Sequence, residues 1–266
     1  MNRFFSKYRF SLALVLVVFF TSCEKVIDLN LDQTEPKIVI EAILTDLDVR
    51  HIVSLSNTKN FDEDNSKVPV RGARVSIIEE DGPTINYTEQ SPGTYVSTRY
   101  KGIPGKKYTI NVVVSDQSYS ATSVMPLPVP IKSLAQLDLD LFGEVNKVVQ
   151  VNYNDPAGVP NYYYNRVFVN NLKRDRFFVE SDRFNDGREV KNNIFLSEPD
   201  LVAGDKVKIQ LLTIDANVYK YLFSINQIAG SGGPPTTPAN PQSNFDNGAL
   251  GFFSASSFTV DSLVIK

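Results

Sequence analysis

Side chains that commonly perform acid–base or nucleophilic chemistry are scarce in this sequence. His51 is the only histidine and Cys23 the only cysteine. His51 lies in an alternating apolar–polar pattern, which predicts an ordinary strand residue. A Ser–His–Asp triad needs its histidine beside the serine, and the chain has no Gly-x-Ser-x-Gly elbow. Carboxylates are numerous, but no pair stands out as the two acids of a glycosidase. We therefore predict that the protein is not an enzyme.

The acidic residues offer one weak candidate for a metal site. Asp62-Glu63-Asp64-Asn65 is an oxygen-rich run, in which Asp62 and Asp64 could contribute ligands to Ca²⁺. The run lacks the turn glycine and the distal glutamate of an EF-hand loop. A histidine-based zinc site needs more ligands than one histidine supplies. A solvated acidic loop is the favoured interpretation, so we predict no metal and no cofactor.

Three consecutive tyrosines form the most suggestive binding feature. In a strand, Tyr162 and Tyr164 share one face and Tyr163 lies on the other. Aromatic faces stack on sugars or on partner side chains, so Tyr162 and Tyr164 are candidate contacts for a ligand or a partner. The alternative, which we favour, is that one face is simply core. The absence of tryptophan weakens a carbohydrate-binding role.

A segment rich in glycine, proline and threonine, residues 230–241, must form a loop. Long loops between ordered elements are either functional or disordered. Gly232, Pro234 and Pro235 are therefore candidate partner contacts, and a passive insertion is the alternative.

The first residues have the organisation of an export signal. Residues 1–9 carry three basic side chains and no acid, and residues 10–20 are almost wholly apolar. This run is shorter than the roughly 20 apolar residues that span a bilayer. Small residues precede Cys23, an arrangement that resembles the lipobox of bacterial lipoproteins. We predict a signal peptide over residues 1–22 and a fatty acid such as palmitate on Cys23, with an uncleaved anchor as the alternative.

Charge and cysteine content narrow the range of partners. Loss of residues 1–22 removes three positive charges and no negative ones, which takes the formal net charge from −3 to −6. A mildly acidic chain argues against nucleic acid as a partner and against electrostatic attachment to anionic lipid heads. The lipid on Cys23 is then the expected link to the membrane. No cysteine follows Cys23, so neither a disulfide nor a thiolate metal site is expected.

The pattern after residue 37 is that of short strands. Residues 37–44 are rich in β-branched side chains, which predicts a first strand. Six more strands are expected at 51–55, 74–79, 85–89, 93–97, 108–114 and 118–123. We expect residues 93–97 to pair with residues 108–114. Seven short strands separated by turn residues predict an immunoglobulin-like β-sandwich over residues 38–125, preceded by a lipidated tether, residues 23–37.

Three prolines at alternate positions in residues 126–131 predict a semi-rigid connector. We expect residues 132–266 to form a larger β-rich domain with one helix. The helix, residues 216–229, has apolar side chains at helical spacing, and Asp215 is placed to cap it. Strands are expected at 134–141, 145–153, 162–169, 176–180, 193–196, 207–214, 250–253 and 257–266. The predicted fold class is mainly β, in two domains.

Six short motifs are spread along the chain. They are Cys23-Glu24-Lys25-Val26-Ile27-Asp28, Glu35-Pro36-Lys37-Ile38-Val39-Ile40-Glu41, Asn154-Asp155-Pro156, Asn161-Tyr162-Tyr163-Tyr164, Asn240-Pro241-Gln242-Ser243-Asn244 and Gly248-Ala249-Leu250-Gly251-Phe252-Phe253. Together they resemble the domain-of-unknown-function 4249 family of bacterial outer-membrane lipoproteins. Members of that family are similar to accessory lipoproteins that accompany TonB-dependent outer-membrane transporters. The resemblance implies an outer-membrane location beside such a transporter, and it supplies no catalytic residues.

The expected function is therefore that of a non-enzymatic accessory or binding partner of a TonB-dependent nutrient transporter. Two alternatives stay open. Tyr162 and Tyr164 motivate a self-standing glycan-binding lipoprotein, and the tandem β-domains motivate a structural or adhesion protein of the cell envelope. The leaflet of the outer membrane, the ligand and the oligomeric state are open as well.

Overall fold

The computed structural model describes residues 35–59, 66–141, 143–196, 199–230 and 241–266. Several predicted features lie outside these ranges: the signal peptide over residues 1–22, Cys23, Asp62, Asp64, Gly232, Pro234 and Pro235. Within the described part of the chain, no helix has the length and apolarity needed to cross a bilayer.

Burial in the first N-terminal strand alternates from residue to residue. In β1, Ile38–Thr45, the side chains of Ile38, Ile40, Ala42 and Leu44 are buried, because every second residue of a strand faces the same side. The strands that follow are β2 (Val49–Asn57), β3 (Val68–Pro69), β4 (Arg74–Glu79), β5 (Thr84–Ser91), β6 (Thr94–Tyr100), β7 (Lys107–Val114) and β8 (Gln117–Val124). The seven predicted strands are confirmed, with their ends shifted by a few residues.

One predicted strand pairing is wrong. Strand β6 pairs with β2 and β5, whereas β7 pairs with β4 and β8. The loop between β6 and β7 binds other parts of the chain: Gly102 N donates to Thr45 O of β1 at 3.0 Å, and Gly105 N donates to Met125 O, just after β8, at 2.7 Å. Strands β5 and β4 therefore lie between β6 and β7 in the sheet, where a hairpin was expected.

The C-terminal part adds more strands and the predicted helix. These elements are β9 (Ile131–Leu141), β10 (Glu144–Asn154), β11 (Tyr162–Val169), β12 (Leu172–Lys173), β13 (Phe178–Ser181), β14 (Glu189–Ile194), β15 (Lys206–Ile214), α1 (Ala216–Gly230) and β16 (Leu250–Val264). The last two predicted strands, 250–253 and 257–266, are a single long strand, β16. Strand β14 begins and ends earlier than the predicted 193–196.

Strand β16 joins the N-terminal and C-terminal strands into one sheet. Its first half pairs in parallel with β1, with Leu250 opposite Val39. Its second half pairs antiparallel with β15, with Ser257 opposite Thr213. The resulting order is β12-β11-β15-β16-β1-β2-β6-β5-β4-β7-β8, while β14, β10 and β9 form a separate three-stranded sheet.

Two hydrophobic cores lie on the same face of β16. Phe253 and Ala255 belong to the core inside the N-terminal strands. Ile265 and the partly buried Leu263 belong to the core between β11, β15 and the three-stranded sheet. All four positions are odd-numbered, and the pairing of β16 shows no register shift, so the alternation of a strand places them on one face.

Helix α1 covers part of the opposite face, which we call the outer face of the sheet. Val218 and Leu222 pack there against Leu212 of β15 and Phe252 of β16. The predicted cap is confirmed, since Asp215 Oδ1 accepts hydrogen bonds from Asn217 N at 2.8 Å and Val218 N at 3.0 Å. The helix ends one residue beyond the predicted 216–229.

The structure does not show the predicted division into two domains, because residues Pro36–Lys266 form one compact unit. The predicted connector, residues 126–131, is packed at both of its ends. Met125 is fully buried in the first core and Val129 is 2% exposed in the second. In addition, Thr259 Oγ1 donates to Val129 O at 3.0 Å, so β16 holds this segment in place.

The parallel pairing of β1 and β16 depends on Gly251. Its φ is +95°, and a Cβ at this position would lie 2.0 Å from Ile40 O. We predict that Gly251→Ala lowers the free energy of unfolding by well over the roughly 1–2 kcal/mol that a left-handed backbone alone costs, because the two strands must also separate. Urea denaturation measures this loss.

Gly248→Ala is the matched control. Gly248 also has a positive φ, +74°, but nothing lies within 4 Å of a Cβ placed there. The free energy of unfolding of this variant should fall only by the cost of the left-handed backbone conformation. Equal losses in the two variants would show that the approach of Ile40 does not constrain the pairing.

Candidate functional site

The three tyrosines of β11 alternate as predicted, and both faces are core. Tyr163 is 1% exposed in the second core. Tyr164 is 3% exposed, and its ring centroid lies 5.8 Å from that of Phe177. The half-buried Tyr162 has its ring centroid 5.0 Å from that of Tyr219 on α1. The favoured interpretation of these tyrosines, as packing residues, therefore agrees with their places in the fold.

A cluster of three aspartates lies next to Tyr163. Side-chain oxygens of Asp155, Asp182 and Asp186 all lie within 4.8 Å of one another. The hydroxyl of Tyr163 donates to Asp155 Oδ1. Burial raises the pKa of the Tyr163 hydroxyl, and the adjacent Asp155 carboxylate raises it further. This phenol therefore stays protonated and serves as a hydrogen-bond donor.

Backbone N–H groups also bind each of these carboxylates. Gly187 N donates to Asp155 at 3.1 Å, Asn161 N to Asp182 at 2.7 Å, and Gly158 N to Asp186 at 2.7 Å. Carboxylate oxygens are what Ca²⁺ prefers, but these contacts already give the aspartates a structural task, which is to join the loop before β11 to the loop before β14. The sequence offered Asp62 and Asp64 only as weak candidates for a metal and did not predict this cluster, although Asp155 lies in the motif Asn154-Asp155-Pro156.

A cleft lies between α1, β13 and the end of β14; we call it the helix cleft. Its volume is about 750 Å³, and Phe177, Phe178, Phe195 and Phe223 contribute to its walls. Phe195 is 42% exposed and Phe223 is 43% exposed. Burial raises the pKa of the Glu180 carboxyl, which also lines the cleft. The helix cleft thus presents a concentration of aromatic surface to solvent.

A second depression, the sheet groove, lies on the part of the outer face that α1 leaves uncovered. It has a volume of about 420 Å³. Tyr164, Arg166 and Phe168 of β11 line it together with Gln210 of β15 and Glu41 of β1. Of the two candidate contacts that lie among the described residues, Tyr164 lines this groove and Tyr162 does not.

His51 is a strand residue, as predicted. It is 4% exposed in β2, and its ring Nε2 lies 2.9 Å from Tyr100 O. Burial lowers the pKa of the imidazole, and the hydrogen bond to the carbonyl opposes that shift only in part. A neutral imidazole with Nε2–H donating to Tyr100 satisfies this geometry.

The C-terminal motifs fasten β16 to its neighbours. The amide of Asn244 pairs with the main chain of Phe253, donating to O at 2.8 Å and accepting from N at 3.0 Å. Ser243 Oγ donates to Gly251 O at 2.8 Å, and Asp246 accepts from Ser120 N of β8 at 2.6 Å. These polar residues therefore replace strand partners along the edge of β16.

The family model for the domain of unknown function DUF4249 matches residues 24–262. The chain belongs to this family. As a DUF4249 protein it is mainly β with one described α-helix, and the residues that resembled the family from sequence now have structural places around Asp155, Tyr163, Asn244 and Gly251. No curated protein matches the chain.

Solved structures similar to this DUF4249 chain include a two-domain fibronectin type-III segment of chicken tenascin. It is 12% identical, with 87% of this chain and 99% of that chain covered and a TM-score of 0.25. The adhesin InvE of Yersinia pseudotuberculosis is 17% identical, with 66% of this chain and 55% of that chain covered and a TM-score of 0.21. Likenesses at this level say nothing about activity or partners.

Loss of the Tyr163 hydroxyl should destabilise the fold. Tyr163→Phe leaves the buried Asp155 carboxylate, 5% exposed, with one donor fewer, which typically costs about 1–3 kcal/mol of unfolding free energy. Tyr162→Phe is the control, because the Tyr162 hydroxyl bonds to none of the described residues. Chemical denaturation of the two variants tests this, and equal stability would contradict the role given to Asp155.

Acid should destabilise the protein partly through His51. Its folded pKa lies below the unfolded value of 6.5, so the unfolded state takes up the proton first as the pH falls. Stability is intact above pH 6.5 and drops below it, by at most about 1.4 kcal/mol per pH unit. His51→Gln keeps a donor for Tyr100 and should lack this component.

The test is to measure the free energy of unfolding of the wild type and of His51→Gln from roughly pH 8 to pH 5. Carboxylates titrate in both, so the difference between the two curves isolates the imidazole. Parallel curves would mean that His51 takes up its proton equally well in the folded and unfolded chains.

Proposed function

We propose that this DUF4249 chain is a non-enzymatic lipoprotein of the bacterial outer membrane and an accessory partner of a TonB-dependent nutrient transporter. The leader of residues 1–22 and Cys23 support the lipid anchor, and the resemblance stated from the sequence supports the place beside a transporter. The geometry adds one observation to these, the helix cleft, as the surface where the partner would bind.

The helix cleft carries the proposal because of its exposed aromatic side chains. Phenylalanine is enriched at protein–protein interfaces relative to other surface, and a few large anchors in a pocket usually supply most of the binding energy. Phe195 and Phe223 are each more than 40% exposed beside a cavity that a partner side chain could fill. Asn226 Nδ2 donates to Phe177 O, which fixes α1 against the strand side of the cleft.

Lipidation would make a modest contact sufficient. An anchored protein diffuses in two dimensions, so its effective concentration near a membrane partner is far higher than in solution. A mature net charge of −6 offers no attraction to anionic lipid heads. In this proposal the acyl groups on Cys23 hold the protein at the membrane, and the helix cleft binds the transporter.

The glycan-binding alternative has weaker support. It rested on Tyr162 and Tyr164 as stacking platforms, but Tyr164 is 3% exposed and Tyr162 packs on Tyr219. Sugar stacking needs an accessible ring face. No comparable observation favours the adhesion alternative.

Two variants test the proposal. Phe223→Ser in the helix cleft should reduce co-purification with a TonB-dependent transporter from cross-linked, detergent-solubilised outer membranes. Loss of an anchor worth about 2 kcal/mol weakens binding roughly 30-fold. The control is Phe184→Ser, which changes an aromatic that is 78% exposed and does not line the cleft. The captured protein is identified by mass spectrometry.

Cys23→Ala tests the anchor separately. The variant should keep its signal peptide and no longer carry labelled palmitate. A transporter captured equally by the Phe223→Ser and Phe184→Ser proteins would exclude the cleft as the docking surface. The absence of any transporter with the wild-type protein would refute the proposed function itself.

A further inference from the structure

The sheet groove brings cations and aromatic rings together on the outer face of the sheet. Arg166 and Phe168 lie on the same face of β11, and the Arg166 guanidinium carbon is 5.8 Å from the Phe168 ring centroid. Lys208 of β15 contacts the same ring, with Nζ 4.6 Å from its centroid. Lys173 Nζ lies 5.9 Å from the ring centroid of Phe177. Cations over ring faces are held in defined positions.

The cations of this groove are not neutralised by acids. Glu41 also lines it, but this carboxylate pairs with Lys67, with Nζ to Oε2 at 2.9 Å. Among the described residues, no carboxylate lies within ion-pairing distance of Arg166 or Lys173. This local excess of positive charge contrasts with the net charge of −3 of the whole chain.

Two buried polar atoms here also have no hydrogen-bond partner among the described residues. They are Arg166 Nε and Gln210 Oε1, and the two residues are directly opposite in the pairing of β11 with β15. Burial lowers the pKa of Lys173 and the nearby Arg166 lowers it further, while the charges of Asp175 and Glu41 oppose this shift. A half-buried guanidinium without an anion is costly, and a bound anion would relieve both the desolvation and the mutual repulsion.

We propose that the sheet groove binds a small organic anion, whose carboxylate or phosphate lies between Arg166 and Lys173 and whose apolar part packs on Phe168 and Phe177. Arginine presents a planar fork that matches either oxyanion in a bidentate manner. A volume of about 420 Å³ falls in the range of small-molecule sites. This goes beyond the docking function, because the groove and the helix cleft share only Phe177.

The test uses the full chain in phosphatidylcholine nanodiscs and isothermal titration calorimetry. Four probes separate the contributions: phenylbutyrate, phenylbutyl phosphate, the neutral phenylbutanol, and inorganic phosphate. At least one of the two phenyl anions should bind, and whichever binds more tightly identifies the oxyanion. Phenylbutanol should bind at least about tenfold more weakly, since it lacks charge-assisted hydrogen bonds. Inorganic phosphate should also bind more weakly, since it has no apolar part for the rings.

Arg166→Gln should lower the affinity for the anion by about tenfold or more. The affinity of Arg166→Lys should lie between those of Arg166→Gln and the wild type. Lys173→Gln is the second variant, at an exposed position of β12. Arg74→Gln removes the same charge from an exposed position on β4, outside the groove, and should bind as the wild type does. Melting curves confirm that each variant is folded.

Three results would overturn the proposal: no binding of either phenyl anion, equal binding of phenylbutanol, or unchanged binding after both Arg166→Gln and Lys173→Gln. The Phe223→Ser protein should bind the anion normally. Failure of transporter docking with anion binding intact would therefore refute the docking function alone, and the reverse result would refute this inference alone.

Discussion

The structure depends on one long strand, β16, and on how closely its backbone approaches β1. The strand is buried along its first half, where Gly251 leaves room for the Ile40 carbonyl. Both hydrophobic cores lie on one of its faces and α1 lies on the other. Polar side chains then complete its edges: Ser123 Oγ accepts from Ala255 N at 2.9 Å and donates to the capping residue Asp215. The start of α1, strand β8 and the central strand are thus joined through one hydroxyl.

Local patterns predicted the elements of this fold better than their partners. A run rich in β-branched side chains located β1, because such side chains favour strands. Apolar side chains at helical spacing, together with the cap Asp215, located α1. Pairing is decided by contacts between distant residues, and nothing near Thr94 or Lys107 indicates that β6 and β7 lie apart. The same limit led to one strand, β16, being divided into two, since its buried serines interrupt the apolar pattern.

The same contrast between local patterns and distant contacts applies to the candidate sites. The opposite orientations of Tyr163 and Tyr164 follow from strand geometry. Their burial depends on distant residues, since Tyr163 packs on Tyr153 of β10 and Tyr164 packs on Phe177. Asp155 and Asp182 meet only because two loops close at one end of β11. The sheet groove was missed altogether, since Arg166 and Lys173 look like ordinary solvent-facing charges in the sequence. Their role in the proposed site depends on the rings beside them and on the lack of an ion-paired acid among the described residues.

The parallel pairing of β1 with β16 has a consequence for the order of events during biogenesis. Val39 is synthesised early, but its pairing partner Leu250 is synthesised near the end. Nearly the whole described chain therefore has to be made before the central pairing can form. Non-local contacts of this kind make folding slow, because the conformational entropy of closing a long loop is lost before the contacts stabilise the chain. In the export that we propose for this chain, such a delay would keep the polypeptide unfolded until its last strand has crossed the inner membrane.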